Sequence, residues 1–210
     1  MESFEIARIN MVKSQILPQN ITNQALVDII AKTPRQIFVP EEKQGISYID
    51  GSINVGGGRY LLPPMVFAKM VEALNLQNNG SVLDIACGTG YSSAILANFF
   101  KKVVAVESNT ELASRAHLNL NKLGIDNVFI IGNNLADGYE EAAPYDAIFI
   151  NGAVKEIPQK LFDQLLDNGK LVTILSYTTY SARVVVFTKI NGKVSGNDVL
   201  DINLPIIEDF

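Results

Sequence analysis

At 210 residues the chain has room for one domain with an embellishment rather than two, since domains run to about 150 residues. Its 48% hydrophobic and 19% charged residues are ordinary for a folded chain, and 17 basic against 22 acidic residues leave a net charge of -5. The basic footprint that a nucleic acid or an anionic membrane attracts is therefore missing. One cysteine, Cys87, and one histidine, His117, exclude an internal disulfide and a Cys/His metal set. No apolar run reaches the roughly 18 residues of a membrane span. Glu2, Glu5 and Arg8 break the order of a signal peptide. The expectation is a cytoplasmic protein without metal, nucleic acid or membrane, and its oligomeric state stays open.

In chain order, Phe4, Ile9, Val12, Ile16 and Leu17 recur at helical spacing up to Pro18, which predicts a first helix. Thr22 is positioned to cap a second, carrying Ala25, Leu26, Ile29 and Ile30 and ending before Pro34. From Pro34 to Pro64 prolines and glycines interrupt every period, so the segment reads as a long loop. Loops of that length inside a domain are commonly lids or binding loops, and Ile37, Phe38, Val39, Tyr48, Ile53 and Tyr60 can anchor this one to a core. Pro63 and Pro64 suit the first turn of a helix with Val66, Phe67, Met70, Val71 and Leu74 on one face.

After Asn78-Asn79-Gly80 the pattern becomes strand, turn, helix. Strands are expected at 81–86, 103–107, 128–131, 147–150 and 171–175, with helices at 91–100, 111–123 and about 158–166. Such alternation predicts a parallel sheet covered on both faces. Segments 183–190 and 193–201, joined by Asn191-Gly192, add an antiparallel hairpin at one edge. The fold class is α/β: a Rossmann-like, mostly parallel seven-stranded sheet with a C-terminal antiparallel hairpin and an N-terminal helical cap. Residues 1–210 form a single domain, with cap and substrate loop in 1–78 and a cofactor-binding core in 79–210.

The chemistry concentrates at Val82 to Tyr91, where a buried strand runs through Ala86, Cys87, Gly88, Thr89 and Gly90 into a helix. Glycines there let a ligand approach the backbone. Glu107 ends the next strand, 23 residues after Asp84, where an acid commonly accepts the ribose hydroxyls of a nucleotide-like cofactor. A dinucleotide fingerprint wants Gly or Ala where Ser93 stands, which weakens an NAD reading. Asp84 lies within the strand, and an apolar strand carries a carboxylate only where something pairs it. The ammonium of S-adenosylmethionine is one partner; backbone N–H groups of the following turn are the other reading. Glu107 has an alternative as a helix cap, and Gly88 and Gly90 as a ligand-free turn. Cys87 reads as a packing residue and His117 as a partly buried helix residue.

Taken together, these pieces resemble the protein-L-isoaspartate O-methyltransferases, a family of S-adenosylmethionine-dependent enzymes. Thr33-Pro34-Arg35-Gln36-Ile37-Phe38-Val39-Pro40 is similar to the family's PRE-x-FVP segment, and Tyr48-Ile49-Asp50 to its AYxD. Ala143-Pro144-Tyr145-Asp146-Ala147-Ile148 looks like APFD-x-I, and Ile157-Pro158 through Val172 like the family's last helix and strand. The family's G-Q-T-I-S-Q-P reads Gly58-Arg59-Tyr60-Leu61-Leu62-Pro63-Pro64 here, so Leu62 stands at the position of a serine that lies by the substrate carboxylate. Its GDG reads Gly132-Asn133-Asn134, which places an amide where an acid contacts adenine.

The resemblance implies methyl transfer from S-adenosylmethionine to a carboxylate, that of L-isoaspartyl residues in damaged proteins or peptides, or of a small carboxylate. It implies cofactor contacts from Asp84, Ala86, Cys87, Gly88, Gly90, Glu107, Ser108, Asn133 and Asn134. It implies acceptor contacts from Gly58, Arg59 and Tyr60, with Leu62 at the catalytic position. Arg59 reads either as a grip on the acceptor carboxylate or as a solvated loop residue. Three alternatives stay open: a more apolar acceptor, a cofactor-binding protein without turnover, and an NAD-dependent oxidoreductase.

Overall fold

The computed structural model describes residues 2–76, 80–178 and 181–210. The chain begins with α1 (Glu2–Met11), which widens into a π-helical stretch over Val12–Ile16 and tightens into a 3-10 turn over Leu17–Gln19. The expected first helix is thus shorter and irregular at its end, because Pro18 restricts the preceding backbone and Asn20 closes the turn at φ 56°. Helix α2 (Gln24–Lys32) is capped by Asn23, whose side chain accepts from the Leu26 N–H at 3.0 Å. Thr22, the cap expected from sequence, donates its amide and hydroxyl to Glu72 instead.

Two 3-10 turns, Arg35–Phe38 and Glu41–Ile46, follow. The region expected to be loop then forms a small antiparallel hairpin, β1 (Ile53–Gly56) with β2 (Arg59–Leu61). Strands of four and three residues are too short to show a period, and Gly56, Gly57 and Gly58, all at positive φ, turn the chain between them. Helix α3 (Pro64–Glu72) buries Val66, Phe67, Met70 and Val71 as the spacing predicts. The Asn78-Asn79 turn lies outside the described residues.

The core alternates β3 (Ser81–Ile85), α4 (Tyr91–Leu96), β4 (Lys102–Val106), α5 (Thr110–Lys122), β5 (Val128–Ile131), β6 (Tyr145–Val154), α6 (Gln159–Asp163) and β7 (Leu165–Thr178). It closes with the hairpin β8 (Ser181–Ile190) and β9 (Lys193–Ile202), turned at Asn191 (φ 51°) and Gly192 (φ 74°). The sheet order is β5-β4-β3-β6-β7-β8-β9, parallel from β5 to β7 and antiparallel beyond.

Successive strand residues enter opposite cores, as the two-residue period of a strand requires. Val82, Val103, Phe149 and Val172 pack with the N-terminal helices, whereas Leu83, Val104, Ile148 and Leu171 pack with Leu135, Leu161 and Ile207. The N-terminal cap is joined to the sheet through an aromatic chain in which Phe38 and Phe67 both contact Tyr91, and Phe67 contacts Phe149. No helix among the described residues is long and apolar enough to cross a membrane.

Candidate active site

Strand order reverses beside β3, with β4 and β5 extending the sheet one way and β6 and β7 the other. Open α/β sheets bind ligands outside the carboxyl ends of their strands at such a switch point. Ala86 to Gly90 follow β3 there, Glu107 follows β4, Asn133 and Asn134 follow β5, and Asn151 lies in β6 where its register with β7 breaks. The turn after β3 is left-handed at Ala86 (φ 59°), Gly88 (φ 58°) and Gly90 (φ 93°). A Cβ at Gly90 would come within 3.3 Å of the Ala116 backbone, so this turn and α5 approach as closely as only glycine permits. Thr89 sutures the turn to the cap: its hydroxyl donates to the Phe38 carbonyl at 2.6 Å, and its own carbonyl accepts from Asn119 at 3.0 Å.

Asp84 is fully buried beneath this turn. Its Oδ2 accepts from the hydroxyls of Ser92 (2.7 Å) and Ser93 (2.6 Å), while Oδ1 has no hydrogen-bond partner. The backbone of the turn therefore does not account for this carboxylate; two side chains do. Burial pushes the Asp84 carboxyl up to about 7, opposed by the two serines and assisted by the charge of Glu107. A buried carboxylate with one orphaned oxygen fits a cationic group such as an ammonium.

Glu107 is also fully buried, and both its oxygens are engaged. Oε2 accepts from the Gly88 N–H (2.8 Å) and Arg59 Nε (3.2 Å), and Oε1 from the Asn109 N–H (3.0 Å) and Arg59 Nη2 (2.9 Å). Arg59 is thus no solvated loop residue: its side chain is 2% exposed and its fork is shared with a second carboxylate. Asp209, near the C-terminus, accepts from Nη1 at 2.6 Å and Nη2 at 2.8 Å, and also from the Ser108 hydroxyl. The Arg59 guanidinium holds the Asp209 carboxyl well below the usual range, at about 2.

The remaining expected site residues are distributed around this centre. Cys87 is buried, and burial pushes its thiol well up, while His117 is exposed on α5 rather than partly buried as its spacing suggested. Asn133 donates to the Gly138 carbonyl, which leaves its amide oxygen as the acceptor, and Asn134 caps the short turn Leu135–Asp137. Leu62 is buried, and with Gly58, Tyr60, Asn151 and Leu204 it lines a seam between the β1-β2 hairpin and the C-terminal segment.

Sequence reasoning missed Asn151, Ser92 and Asp209. Asn151 donates weakly to the Ala86 carbonyl and the Ser92 hydroxyl, at 3.4 and 3.3 Å. Its signal was a polar residue closing an apolar strand. Ser92 was legible only through Asp84, and Asp209 had no local signal at all. Beyond the tail lies an open cleft of about 1250 Å³ lined by Lys155, Glu156, Tyr177, Leu204, Ile206 and Phe210, among others.

A family model described as Protein-L-isoaspartate(D-aspartate) O-methyltransferase (PCMT) matches residues 8–207. The chain belongs to this family. The protein-L-isoaspartate O-methyltransferase of Methanoculleus marisnigri is 37% identical over 165 residues, covering 79% of this chain and 75% of that one. That of Opitutus terrae is 33% identical over 195 residues, 91% of this chain and 84% of its own. Among solved structures, a protein-L-isoaspartate O-methyltransferase superposes with TM-score 0.83 at 24% identity; it covers 95% of this chain, which spans only 65% of that longer protein. One from Plasmodium falciparum, solved in complex with S-adenosyl-L-homocysteine, gives TM-score 0.81 at 21% identity over 97% of this chain and 99% of that one. The Rossmann-like methyltransferase fold expected from sequence is the fold observed, including the antiparallel C-terminal hairpin.

Proposed function

We propose that this protein transfers the methyl group of S-adenosylmethionine to the carboxylate of L-isoaspartyl residues in damaged proteins or peptides. The family match over residues 8–207 carries this reading. The cofactor supplies an electrophilic methyl group on a sulfonium. Of the chain's own residues, Asp84 would offer its unpaired oxygen to the ammonium, Glu107, once released by Arg59, its carboxylate to the ribose, Asn133 an amide oxygen to the adenine, and Gly88 and Gly90 a close backbone approach.

The acceptor carboxylate, with a pKa near about 4, is ionised at neutral pH, so the chain needs no general base. Holding donor and acceptor in line contributes roughly 7 to 11 kcal/mol, which exceeds the roughly 1.5 to 3 kcal/mol of one hydrogen bond to a charged group. Loss of that one hydrogen bond at Leu62, which the resemblance aligns with a serine, is expected to weaken activity about tenfold to hundredfold rather than abolish it. The hairpin-tail seam at Gly58, Arg59, Tyr60 and Leu62 is the proposed acceptor side. One unpaired cysteine suits a reducing, cytoplasmic setting.

A second reading keeps the cofactor and gives the chain a more apolar acceptor. It is favoured by the apolar seam, where Leu62 faces Leu204, Pro205 and Ile207 across a common lining.

The test is transfer of labelled methyl from S-adenosylmethionine to an isoaspartyl peptide, with the ordinary aspartyl peptide as control. Transfer to the isoaspartyl peptide alone is expected. Transfer to neither, by protein that binds S-adenosylhomocysteine, favours the second reading or a binding role.

A further inference from the structure

The carboxylate best placed to receive a ribose is already occupied by the chain itself. A carboxylate offers roughly four acceptor positions. Those of Glu107 are filled by the Gly88 and Asn109 amides and by two nitrogens of Arg59. Arg59 also lies over the glycine turn, its Cβ 3.6 Å from where a Cβ of Gly88 would stand. A guanidinium in that position and a ribose diol on Glu107 exclude each other, because they need the same lone pairs and the same space.

Asp209 explains why Arg59 stays there. It grips the outer edge of the guanidinium with both oxygens while Glu107 grips the side edge, and the Ser108 hydroxyl adds a bond to each partner. The segment carrying Asp209 is itself anchored: the Ile207 amide donates to the Ala153 carbonyl at 2.8 Å, and Ile207 is buried. Two sequence-distant elements, the β1-β2 hairpin and the C-terminal tail, thus meet over the turn after β3 through one arginine.

We propose that Arg59 and Asp209 form an intramolecular latch over the ribose seat, which holds the protein in a cofactor-excluding state until Arg59 leaves Glu107. The inference rests on the methyltransferase reading, since it takes Glu107 to be the ribose acceptor. Apparent affinity for the cofactor is then the intrinsic affinity reduced by the fraction of molecules with the latch open. Electrostatics sets the hierarchy. Breaking the contact with Glu107 leaves Arg59 paired to Asp209, so the guanidinium keeps a counter-charge as the latch opens.

The experiment is calorimetric titration of the full chain with S-adenosylhomocysteine, comparing wild type with Arg59→Gln and Asp209→Asn, together with amide exchange of the wild type with and without that ligand. Arg59→Gln is expected to bind about tenfold more tightly, as for a latch closed in nine molecules of ten, and Asp209→Asn to gain less. The ligand is expected to raise exchange at Ile207 to Phe210 while lowering it around the glycine turn. Equal or weaker binding by both variants, or protection of the tail by the ligand, overturns the latch and leaves the methyltransferase reading intact. If Arg59→Gln does not fold, Asp209→Asn and the wild-type exchange decide alone. Absence of binding by wild type and variants alike overturns the cofactor reading, and the latch with it.

Discussion

Arg35 donates from Nη2 to the main-chain carbonyl of Leu62 at 2.6 Å, which ties the two segments that flank the candidate acceptor side. The same buried guanidinium donates from Nε to the Ser47 carbonyl at 2.8 Å and lies 5.1 Å from the Tyr91 ring centroid. Among the described residues no carboxylate pairs with it, and burial lowers its pKa, so its positive charge is balanced by carbonyl dipoles and a ring face.

Arg35→Lys keeps the charge but loses the planar fork, so one of the two loop carbonyls goes without its donor. A loss of about 1.5 to 3 kcal/mol is expected, read from the urea midpoint at unchanged slope. Arg35→Ala adds a cavity and is expected to cost more. A variant as stable as wild type would show that the two loops hold without it.

Leu62→Ser introduces the hydroxyl that the sequence resemblance leads one to expect at this position but places it beside Leu204, Pro205 and Ile207. Removing most of a leucine from a packed site costs about 2 to 5 kcal/mol, and an unpaired hydroxyl adds to that. The expected result is a lowered thermal midpoint, measured by calorimetry. An unchanged midpoint would mean that the seam adapts without cost.

Under the proposed function, Asp84 is expected to make cofactor binding pH-dependent. Its folded pKa, raised to about 7, lies above the unfolded value, so the native state holds a proton that the unfolded state has released between about pH 4 and pH 7. Stability contributed at low pH is therefore lost as pH rises through that window. Pairing with an ammonium favours the ionised form, so S-adenosylhomocysteine is expected to bind with proton release near pH 6.5 (about half a proton or more) and to gain affinity from about pH 6 to pH 8. Calorimetry in buffers of different ionisation enthalpy reads the proton count, and Asp84→Asn is expected to abolish the dependence.

Cys87 sits in the glycine turn yet is expected to be chemically silent. Burial, followed by the charges of Asp84 and Glu107, pushes its thiol well above the ordinary range, and a protonated, buried thiol is a poor nucleophile. Reaction with a colorimetric disulfide reagent at pH 8 is expected to be slower than that of the urea-unfolded chain by about a thousandfold or more. Comparable rates would place the thiol within reach of solvent.

The alternating strands and helices were legible because each element carries its own period. Phe67 and Met70 at helical spacing, or Val103 to Val106 as an apolar run, report their environment to any local reading. The same holds for the Asn191-Gly192 turn and for the glycines after β3. The β1-β2 hairpin was not legible, since three- and four-residue strands have no period and their pairing depends on the packing of Ile53, Val55 and Leu61. The cap at Asn23 was misread at Thr22 because both residues suit the role, and the choice turned on Glu72 in another helix.

The candidate site divides along the same line. Asp84, Gly88, Gly90 and Glu107 stood out as candidates by sequence alone, because turn geometry and strand ends impose residue types within a short stretch. What Asp84 and Glu107 touch was decided by the tertiary structure: Ser92 and Ser93 enclose the first, and Arg59 covers the second with Asp209 behind it. Arg59 and Asp209 are 150 residues apart, and no local pattern encodes a charge pair across that distance. Such a pair exists only once the hairpin and the tail have been brought over the same turn by burial of the residues around them.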